Sequence, residues 1–413
     1  MDQLRALLGE LLPGNQFYAA KFNAAGVHKK VSSLADYFDR FPFTTKQELV
    51  EDQRLHPPFG ANLTYPLERY TRCHQTSGTA GAPLRWLDTA ESWNWMLASW
   101  EQVLRVAGVT RADRLFFAFS FGPFIGFWLA FEAAARLGCL CVPSGGLNSA
   151  ARLRLIFDHG ATVLCCTPTY AIRLAEVAAS EKIDLSLSPV KLIIVAGEQG
   201  GSIPATRACI ERLWPGARVF DHHGMTEVGP VSFECPAQPG VLHVMENSYL
   251  AEVLNPETGK SVEAGRSGEL VLTTLGRAGS PLLRYRTGDL VKTHLDTVCI
   301  CGRSELALEG GILGRTDDMV IVRGVNVYPS AVEEIMRATG AVAEYQAQVS
   351  TSSSLPELQI RVEPNAECAD VAALARQLED AFMGAFSLRV PVTIAPAGSL
   401  PRFELKASRW ART

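Results

Sequence analysis

A loop rich in glycine and hydroxyl side chains has the composition of an anion-binding segment. Its sequence is Gln75-Thr76-Ser77-Gly78-Thr79-Ala80-Gly81-Ala82-Pro83. Glycine lets backbone N–H groups approach an anion closely, and the hydroxyls add donors, so the loop suits a polyphosphate. It is not a Walker A loop, because that motif ends in a Gly-Lys pair. The one such pair in the sequence, Gly259-Lys260, lies elsewhere and lacks the earlier glycine that the motif requires. An ordinary surface turn shares this composition, so the loop by itself leaves both interpretations open.

Two further segments place carboxylates beside hydroxyls. The segment from Asp221 to Glu227 directly follows the apolar run ARVF. Ligands bind beyond the carboxyl ends of parallel strands in open α/β sheets, and the oxygens of Thr226 and Glu227 are of the kind that binds Mg²⁺. Asp289 lies in a Thr-Gly turn, where a carboxylate can accept hydrogen bonds from ribose hydroxyls. A capped turn at the adjacent histidines would also explain the first segment, and a β-turn with a solvated Asp289 is the favoured interpretation of the second segment taken alone.

The charge balance excludes binding that is driven by a strong electrostatic field. The chain has 413 residues, with 39 basic and 43 acidic side chains and a formal net charge of −4. That balance offers no basic field for nucleic acid or an anionic membrane, so a nucleotide must be held by a local site. Hydrophobic residues make up 47% of the chain and charged residues 20%, which indicates a globular protein. The length fits two or three domains.

Alternating apolar and amphipathic segments predict an α/β fold, with a large N-terminal domain over residues 1–313. Between about residues 114 and 220, apolar runs such as LFFAF, TVLCC and KLIIVAG alternate with helix-length segments, which indicates parallel sheets covered by helices. Strand-like segments and the turn NPETGK then predict a β-subdomain at about 224–313. The succession MVIV, SAVEEIMRATG, VAEYQAQVS, LQIRVE, DVAALARQLEDAFMGAF and VPVTIA predicts a small C-terminal α+β domain over residues 314–413.

The N-terminus and the cysteines bear on localisation. The first residues, MDQLRALLGELLPGNQFY, lack the basic n-region and the cleavage site of a signal peptide. No run of about 18 uncharged apolar residues predicts a membrane span. Ten cysteines in such a chain indicate reduced thiols, and we expect a cytoplasmic protein with no membrane partner. Ser33 and either Thr44 or Thr45 are predicted to be helix N-caps.

Two later segments complete an ordered series of five. One contains Gly-Arg-Thr-Asp-Asp at 314–318 and Arg-Gly-Val-Asn-Val-Tyr-Pro at 323–329, and the other is Leu-Pro-Arg-Phe-Glu-Leu-Lys at 400–406. In this order the five segments resemble the core motifs of the adenylate-forming superfamily of acyl-CoA synthetases, luciferases and peptide-synthetase adenylation domains. FYAAKFNAAGV, LADYFDRFPFTTKQEL and GRTDDMVIVRGVNVYPSAVEEI resemble its short phenylacetate–CoA ligase branch. The resemblance extends from about Asn15 to Trp410.

The resemblance implies a role for each matching residue. At the phosphates of the nucleotide, it implies Thr76, Ser77, Gly78 and Thr79. Around the adenine, it implies Gly197, Glu198 and His223, with Asp221 in the same segment as His223. It also implies Thr226 at the α-phosphate, Glu227 at Mg²⁺, Asp289 at the ribose, and Arg315 as a further contact to the nucleotide. In the C-terminal domain, the resemblance implies a hinge at Asp317, a close passage of pantetheine at Gly324, and contact of Lys406 with the carboxylate and the α-phosphate.

The sequence departs from the family pattern at several positions. Ala80 replaces a second threonine of the phosphate loop, and Leu84 and Arg85 stand where a lysine is common. His223 replaces a tyrosine, and an imidazole stacks on adenine more weakly than a phenol ring does. Glu404 stands in the region of the last motif where the family usually has glycine, so the motif offers Lys406 as its cation and Arg402 as the alternative.

Four further residues have the donor types of a zinc site: Cys235, His243, Cys299 and Cys301. Cys-x7-His and Cys-x-Cys each provide two soft or imidazole ligands, which together could form a tetrahedral shell. A similar set holds zinc in some members of the group that the chain resembles. The spacings are not those of the common zinc motifs, and four unlinked residues, with the cysteines packed as small hydrophobes, would also explain them.

The resemblance implies an acid–thiol ligase that uses ATP, Mg²⁺ and coenzyme A to convert a carboxylic acid to an acyl-adenylate and then to an acyl-CoA. Phe121, Phe124 and Phe127 suit a flat aryl or arylacetic acid, although core packing would account for them equally. Transfer to a carrier-protein thiol or to an amine is one alternative, and a nucleotide-binding homologue with weak turnover is another. Association as a homodimer is left open, and no nucleic-acid partner is expected.

Overall fold

The computed structural model describes residues 1–12, 14–27, 31–76, 83–126, 128–316, 318–323, 325–350, 356–404 and 407–412. These residues divide into two units. The first contains Met1–Gly145 and His222–Gly311, and the second contains Gly146–Asp221 and Ile312–Thr413.

Helices in the described residues occur in both units. They are α1 (Asp2–Leu11), α2 (Gln16–Ala24), α3 (Leu34–Arg40), α4 (Lys46–Leu55), α5 (Ala90–Val106), α6 (Trp128–Arg136), α7 (Ser149–Asp158), α8 (Pro168–Ser180), α9 (Pro204–Leu213), α10 (Pro329–Ala338) and α11 (Val371–Phe386). Within the described residues, no helix is long and apolar enough to cross a membrane.

Strands follow the same chain order. They are β1 (Tyr70–Gln75), β2 (Arg85–Thr89), β3 (Arg114–Phe117), β4 (Leu140–Pro143), β5 (Val163–Cys166), β6 (Leu192–Val195), β7 (Arg218–Asp221), β8 (Gly224–Met225), β9 (Gly229–Pro230), β10 (Ser232–Glu234), β11 (Val241–Val244), β12 (Tyr249–Leu254), β13 (Ser267–Thr274), β14 (Tyr285–Thr293), β15 (Ala307–Arg315), β16 (Val320–Val322), β17 (Val325–Val327), β18 (Val342–Ser350), β19 (Glu357–Pro364), β20 (Val392–Ile394) and β21 (Trp410–Arg412).

The first unit is built around a six-stranded sheet with the order β10-β11-β15-β14-β13-β12. The pairs β10–β11, β11–β15, β12–β13 and β13–β14 are antiparallel, as predicted for the β-subdomain. Strands β3 and β4 pair in parallel in the same unit. The helix α1 buries its leucines at positions 4, 7, 8 and 11, a spacing that places them on one helical face.

Besides the short antiparallel pair β16–β17, the described part of the second unit contains two sheets. Strands β5, β6 and β7 are parallel neighbours, and every residue of β5 and β6 is buried. Burial on both faces explains why these strands are continuously apolar rather than alternating. Strands β20, β19, β18 and β21 form the other sheet, with α10 and α11 contributing Val332, Met336, Leu374, Leu378 and Phe382 to a shared core. The predicted fold class is therefore confirmed.

The helix starts also follow from local sequence. The Ser33 side chain accepts a hydrogen bond from the Asp36 amide at 3.1 Å and caps α3. Thr45 caps α4 in a capping box, because its side chain accepts from the Glu48 amide while the Glu48 carboxylate accepts from the Thr45 amide. Both N-cap predictions are confirmed, with Thr45 rather than Thr44 as the cap of α4.

Candidate active site

Thr226 and Glu227 lie in the tight turn of a short hairpin in the first unit. Strands β8 and β9 pair antiparallel, with Gly224 opposite Pro230. A Cβ atom on Gly224 would lie 2.8 Å from the carbonyl oxygen of Gly229, and Gly229 itself has φ +88°. Only glycine satisfies both constraints without strain, so the sequence at these two positions fixes the turn that presents Thr226 and Glu227.

A fully buried ion pair holds the backbone of this turn. Arg277 and Asp88 both have 0% side-chain exposure, and the guanidinium donates two hydrogen bonds of 2.7 Å to the carboxylate. The same guanidinium donates to the carbonyl oxygens of Thr226 and Glu227, each at 2.8 Å. A fork of planar donors suits this task, since it can bind a carboxylate and two carbonyls at once.

The hydroxyl of Tyr249 contacts the other side of the turn. It lies 2.8 Å from the carbonyl oxygen of Val228 and 2.7 Å from that of Pro230. Burial raises the pKa of Tyr249 well above its ordinary value, so the hydroxyl keeps its proton and remains a donor. Arg277 and Tyr249 thus fix four carbonyls in a segment of five residues.

The Glu227 carboxylate faces a cation from the N-terminal region. Its residue is buried, and Oε1 lies 3.2 Å from Nζ of Lys46, the first residue of α4. The Lys46 side chain is 51% exposed, so it can move away at little cost while the carboxylate stays in place. A buried carboxylate with one mobile partner is chemically suited to an oxygen-preferring cation such as Mg²⁺.

His223 and Asp289 are brought together although each was predicted from a separate motif. Nε2 of His223 lies 3.0 Å from Oδ2 of Asp289. Within the described part of the chain, the other ring nitrogen of His223 is buried and has no hydrogen-bond partner. The neighbouring His222 differs, because its Nδ1 lies 2.6 Å from the Ser232 carbonyl and burial lowers its pKa to about 3. Its role is therefore structural.

The base of the glycine-rich loop is closed by two hydrogen bonds. The Thr76 amide donates to the Leu84 carbonyl at 2.9 Å, and the Leu84 amide donates to the Thr76 hydroxyl at 3.0 Å. Thr76 is buried, so this pairing extends the ladder between β1 and β2 towards the loop. The predicted site residues that lie outside the described part of the chain are Ser77, Gly78, Thr79, Phe127, Asp317, Gly324 and Lys406.

The second unit contains the other predicted nucleotide residues. Gly197 has φ +93° in the loop after β6, a conformation that favours glycine. Asp221 ends β7, and its Oδ2 accepts a hydrogen bond of 2.5 Å from the Ser202 hydroxyl. Glu198 accepts hydrogen bonds from the amides of Thr169 and Ala407. Arg315 is the last residue of β15.

Arg402, the alternative cation of the last motif, is already engaged in the second unit. Its guanidinium binds the Glu363 carboxylate and also lies 3.3 Å from Oε2 of Glu176. Its hydrogen bond to Glu363 raises the pKa of Arg402, as expected for a cation held in an ion pair. This pairing favours a structural role for Arg402.

The aromatic residues proposed for the acid pocket lie in the first unit. The Phe121 ring is half-buried, and its centroid lies 4.9 Å from Trp128 and 5.5 Å from Phe131. Its backbone has φ +51°, which is rare for a residue with a side chain. Phe124 is half-buried nearby in sequence. Core packing thus accounts for part of the Phe121 surface and leaves the rest accessible.

The four candidate zinc ligands converge although they are far apart in sequence. The ligand atoms of Cys235, His243, Cys299 and Cys301 all lie within 4.8 Å of one another. The Cys235 and Cys299 sulfurs are 3.5 Å apart, and Sγ of Cys301 is 3.4 Å from Nε2 of His243. Bonds of about 2.3 Å at tetrahedral angles place sulfur ligands roughly 3.8 Å apart, so the set fits one zinc ion with little adjustment.

A tight turn presents two of these thiols. The Gly302 amide donates to the Cys299 carbonyl, and Gly302 has φ +83°. Burial raises the pKa of the Cys299 thiol, but hydrogen bonds from backbone amides and the neighbouring thiols outweigh burial and leave the pKa below its ordinary value. The turn therefore favours the thiolate of Cys299, the form that binds metal, whereas burial raises the pKa of the neighbouring Cys235 thiol to about 12.

Comparisons with known proteins agree with the motifs. Residues 74–277 match the family of AMP-binding enzymes, and residues 324–411 match the AMP-binding enzyme C-terminal domain. The phenylacetate-coenzyme A ligase of Thermus thermophilus is 35% identical over 88% of this chain and 80% of its own length. The corresponding ligase of Escherichia coli is 31% identical over 95% of this chain and 89% of its own length.

Solved structures give the same result. A 2-hydroxyisobutyryl-CoA ligase in the postadenylation state, in complex with an acyl-AMP, has a TM-score of 0.94 and 28% identity over 100% of this chain and 88% of its own. With its acyl-AMP and coenzyme A in the thioesterification state, that ligase has a TM-score of 0.74 and 29% identity over 100% of this chain and 88% of its own.

The fold, the hairpin turn and these matches define an adenylate-forming, AMP-binding enzyme. The chain belongs to the phenylacetate–CoA ligase-like branch of that superfamily. It is an AMP-forming acyl-CoA ligase, which activates a carboxylic acid as its acyl-adenylate and transfers the acyl group to coenzyme A.

Motif-based reasoning missed Asp88, Arg277 and Lys46. A weak signal was present for the first two, because Asp88 is an acid inside the apolar strand RWLDT and Arg277 follows the apolar run LVLTTL. Charged residues at such positions are buried only when they are paired. Nothing in the sequence indicates that they pair with each other, since they are separated by 189 positions.

Replacing Arg277 by methionine tests whether the buried ion pair with Asp88 stabilises the turn. Arg277→Met should lower the free energy of unfolding by about 3 to 5 kcal/mol, because it leaves the Asp88 carboxylate buried and unpaired. Urea unfolding followed by circular dichroism measures this change. Arg54→Met is the matched control, since Arg54 pairs with Glu51 at an exposed position and its loss should leave the urea midpoint unchanged. Equal midpoints for both variants would contradict the assigned role of Arg277.

Proposed function

We propose that the acid activated by this enzyme is an aryl or arylacetic acid. The observation that carries the proposal is the 35% identity to a phenylacetate-coenzyme A ligase over 88% of the chain. The partly accessible Phe121 ring supports it, since a flat apolar acid binds well against aromatic side chains. The similarity to 2-hydroxyisobutyryl-CoA ligase favours a small hydroxy acid as the second candidate, at the lower identity of 28%.

The first half-reaction joins the acid to AMP. A carboxylate oxygen attacks the α-phosphorus of ATP, the bond between that phosphorus and the α,β-bridging oxygen breaks, and pyrophosphate leaves with the bridging oxygen. We infer that Thr226 and Lys406 contact the α-phosphate, Asp289 the ribose, and the loop beginning at Thr76 the outer phosphates. Little covalent chemistry falls to the protein, so catalysis rests on alignment and on fixed positive or donor groups. The hydrogen bonds that Arg277 and Tyr249 make to the turn support this role for Thr226, because a backbone that is already fixed does not have to rearrange during the reaction.

A Mg²⁺ ion fits the Glu227 carboxylate. The carboxylate is buried, offers hard oxygen atoms and has in Lys46 a partner that can withdraw. When bound, Mg²⁺ supplies positive charge against the triphosphate. Glu227 itself would orient that charge, because its backbone carbonyl is fixed by Arg277.

The second half-reaction releases AMP. The thiol sulfur of coenzyme A attacks the acyl carbon of the adenylate, the bond to the phosphate oxygen breaks, and the acyl thioester forms. We propose that residues 314–413 move as one body about Asp317 between the two steps, withdrawing Lys406 and bringing the segment at Gly324 to the thiol. The two reaction states seen in a related ligase support such an alternation.

We also propose a structural zinc ion at Cys235, His243, Cys299 and Cys301. Their ligand atoms supply three sulfurs and one nitrogen, a closed set with no open coordination position. Cys235 follows β10 and His243 lies in β11, while the other two thiols precede β15 in the same sheet. Zinc would therefore join strand ends in the first unit without taking part in the chemistry.

A pyrophosphate-release screen over arylacetic, benzoic, fatty, amino and small 2-hydroxy acids tests the substrate class. We expect the highest kcat/KM with an aryl or arylacetic acid, and Glu227→Ala should lower release by about 100-fold or more because it removes the anchor for Mg²⁺. Glu51→Ala, an exposed acid, is the matched control and should retain wild-type release. A preference for 2-hydroxyisobutyrate would contradict the aryl assignment, and wild-type release by Glu227→Ala would contradict the role of that residue.

Separating the half-reactions tests Lys406. Lys406→Ala should lower adenylation by about 100-fold, while thioester formation from supplied acyl-adenylate should change less than about 3-fold. Pyrophosphate exchange and thioester formation are measured on the same preparation. Arg402→Gln should leave the ratio of the two rates much closer to that of the wild type. A selective loss of adenylation in Arg402→Gln, with Lys406→Ala unaffected, would reverse the assignment.

Elemental analysis of freshly purified, chelator-free protein tests the zinc site. About one zinc per chain is expected, and Cys299→Ser and Cys301→Ser should each lose the metal and lower the melting temperature before activity is affected. Cys73→Ser is the control, because Cys73 is exposed and lies outside the ligand set. Stoichiometric zinc that survives both ligand substitutions, or its absence from the wild type, would refute the site.

A further inference from the structure

The side chain of Glu198 joins two distant parts of the second unit. Its Oε1 accepts a hydrogen bond of 2.8 Å from the amide of Thr169, and its Oε2 accepts one of 2.8 Å from the amide of Ala407. Ala407 lies 209 positions further along the chain and directly follows Lys406. Both carboxylate oxygens are thus committed to backbone donors.

The first of these bonds anchors the carboxylate. Thr169 is the second residue of α8, so its amide has no partner within the helix. The positive end of the helix dipole also favours a negative charge at this position. Glu198 therefore has a fixed position that does not depend on the C-terminal residues, and its second oxygen is a preformed, charge-assisted acceptor for Ala407.

Two further contacts bring the last residues of the second unit onto the same helix. Nη1 of Arg409 lies 3.4 Å from the Thr169 hydroxyl, and Nε of Arg402 lies 3.3 Å from Oε2 of Glu176. Arg409 is in turn bound to Glu344 of β18 at 2.6 Å. These contacts flank Lys406 in the sequence on both sides, and the Glu198 bond is made to Ala407, which directly follows Lys406.

We propose that Glu198 is a positioning residue for the adenylation half-reaction. By holding the Ala407 amide, it restrains the backbone that directly follows Lys406 during that half-reaction, an inference that rests on the role proposed for Lys406. Catalysis by a positioned charge is sensitive to displacements of about 1 Å, so one hydrogen bond next to the lysine affects rate more than affinity. Thioester formation does not use Lys406 and is therefore indifferent to Glu198.

Glu198→Gln provides the test with little change of shape. An amide offers one acceptor oxygen, so the glutamine can satisfy the amide of Thr169 or that of Ala407 but not both. We expect the kcat for adenylation to fall by about 10-fold with a smaller change in the KM for ATP, and thioester formation from supplied acyl-adenylate to be unchanged. Hydrogen exchange of the peptide spanning residues 404–412, measured without substrates, should be faster by about the same factor.

Glu181→Gln is the matched control, since Glu181 caps the other end of α8, pairs with Arg154 and should leave every readout at the wild-type value. An increase in the KM for ATP with unchanged kcat and unchanged exchange would overturn the proposal and leave Glu198 as an adenine contact. Equal losses in both half-reactions, or wild-type rates with wild-type exchange, would also overturn it. A wild-type enzyme that makes no acyl-adenylate would instead refute the proposed function, and the exchange measurement would still decide whether Glu198 holds Ala407.

Discussion

The buried ion pair between Arg277 and Asp88 is the interaction on which the candidate site of the first unit depends. A guanidinium without solvent access is tolerable only when hydrogen-bond acceptors replace the lost water, and here a carboxylate and two turn carbonyls accept four hydrogen bonds from it. The hairpin turn can be so tight because Gly224 and Gly229 carry no side chain at its neck. The ion pair and the hairpin turn therefore stabilise each other, and together they fix the backbone of Thr226 and Glu227.

Charge is used locally throughout this protein. The net charge of −4 creates no field that would attract a polyphosphate, and each candidate contact depends instead on one positioned group. Lys46 is one such group, because its ammonium, carried by α4, lies beside the Glu227 carboxylate. The glycine-rich loop itself lacks the lysine that is common in the family. Glu198 is a second case, in which a carboxylate holds two backbone amides rather than a cation.

Local sequence was sufficient for most of the fold. The continuous apolar runs of β5 and β6, the helical spacing of leucines in α1 and the capping box at Thr45 each involve residues a few positions apart. Such signals do not depend on where the rest of the chain lies, so they predict elements well. The order of five motifs also identified the family, because it is a property of the sequence alone.

The sequence by itself thus determined the elements, the fold class and the family, together with the residue types available for chemistry. Only the tertiary structure decided which of these residues meet: Asp88 with Arg277, His223 with Asp289, and the four ligands of the proposed zinc site. The physical reason is that a buried charge or thiol can be satisfied by any suitable partner in the chain, and spacing does not specify which one. The partner is determined when the strands assemble into the sheet, and it can be identified only from the distances between side-chain atoms.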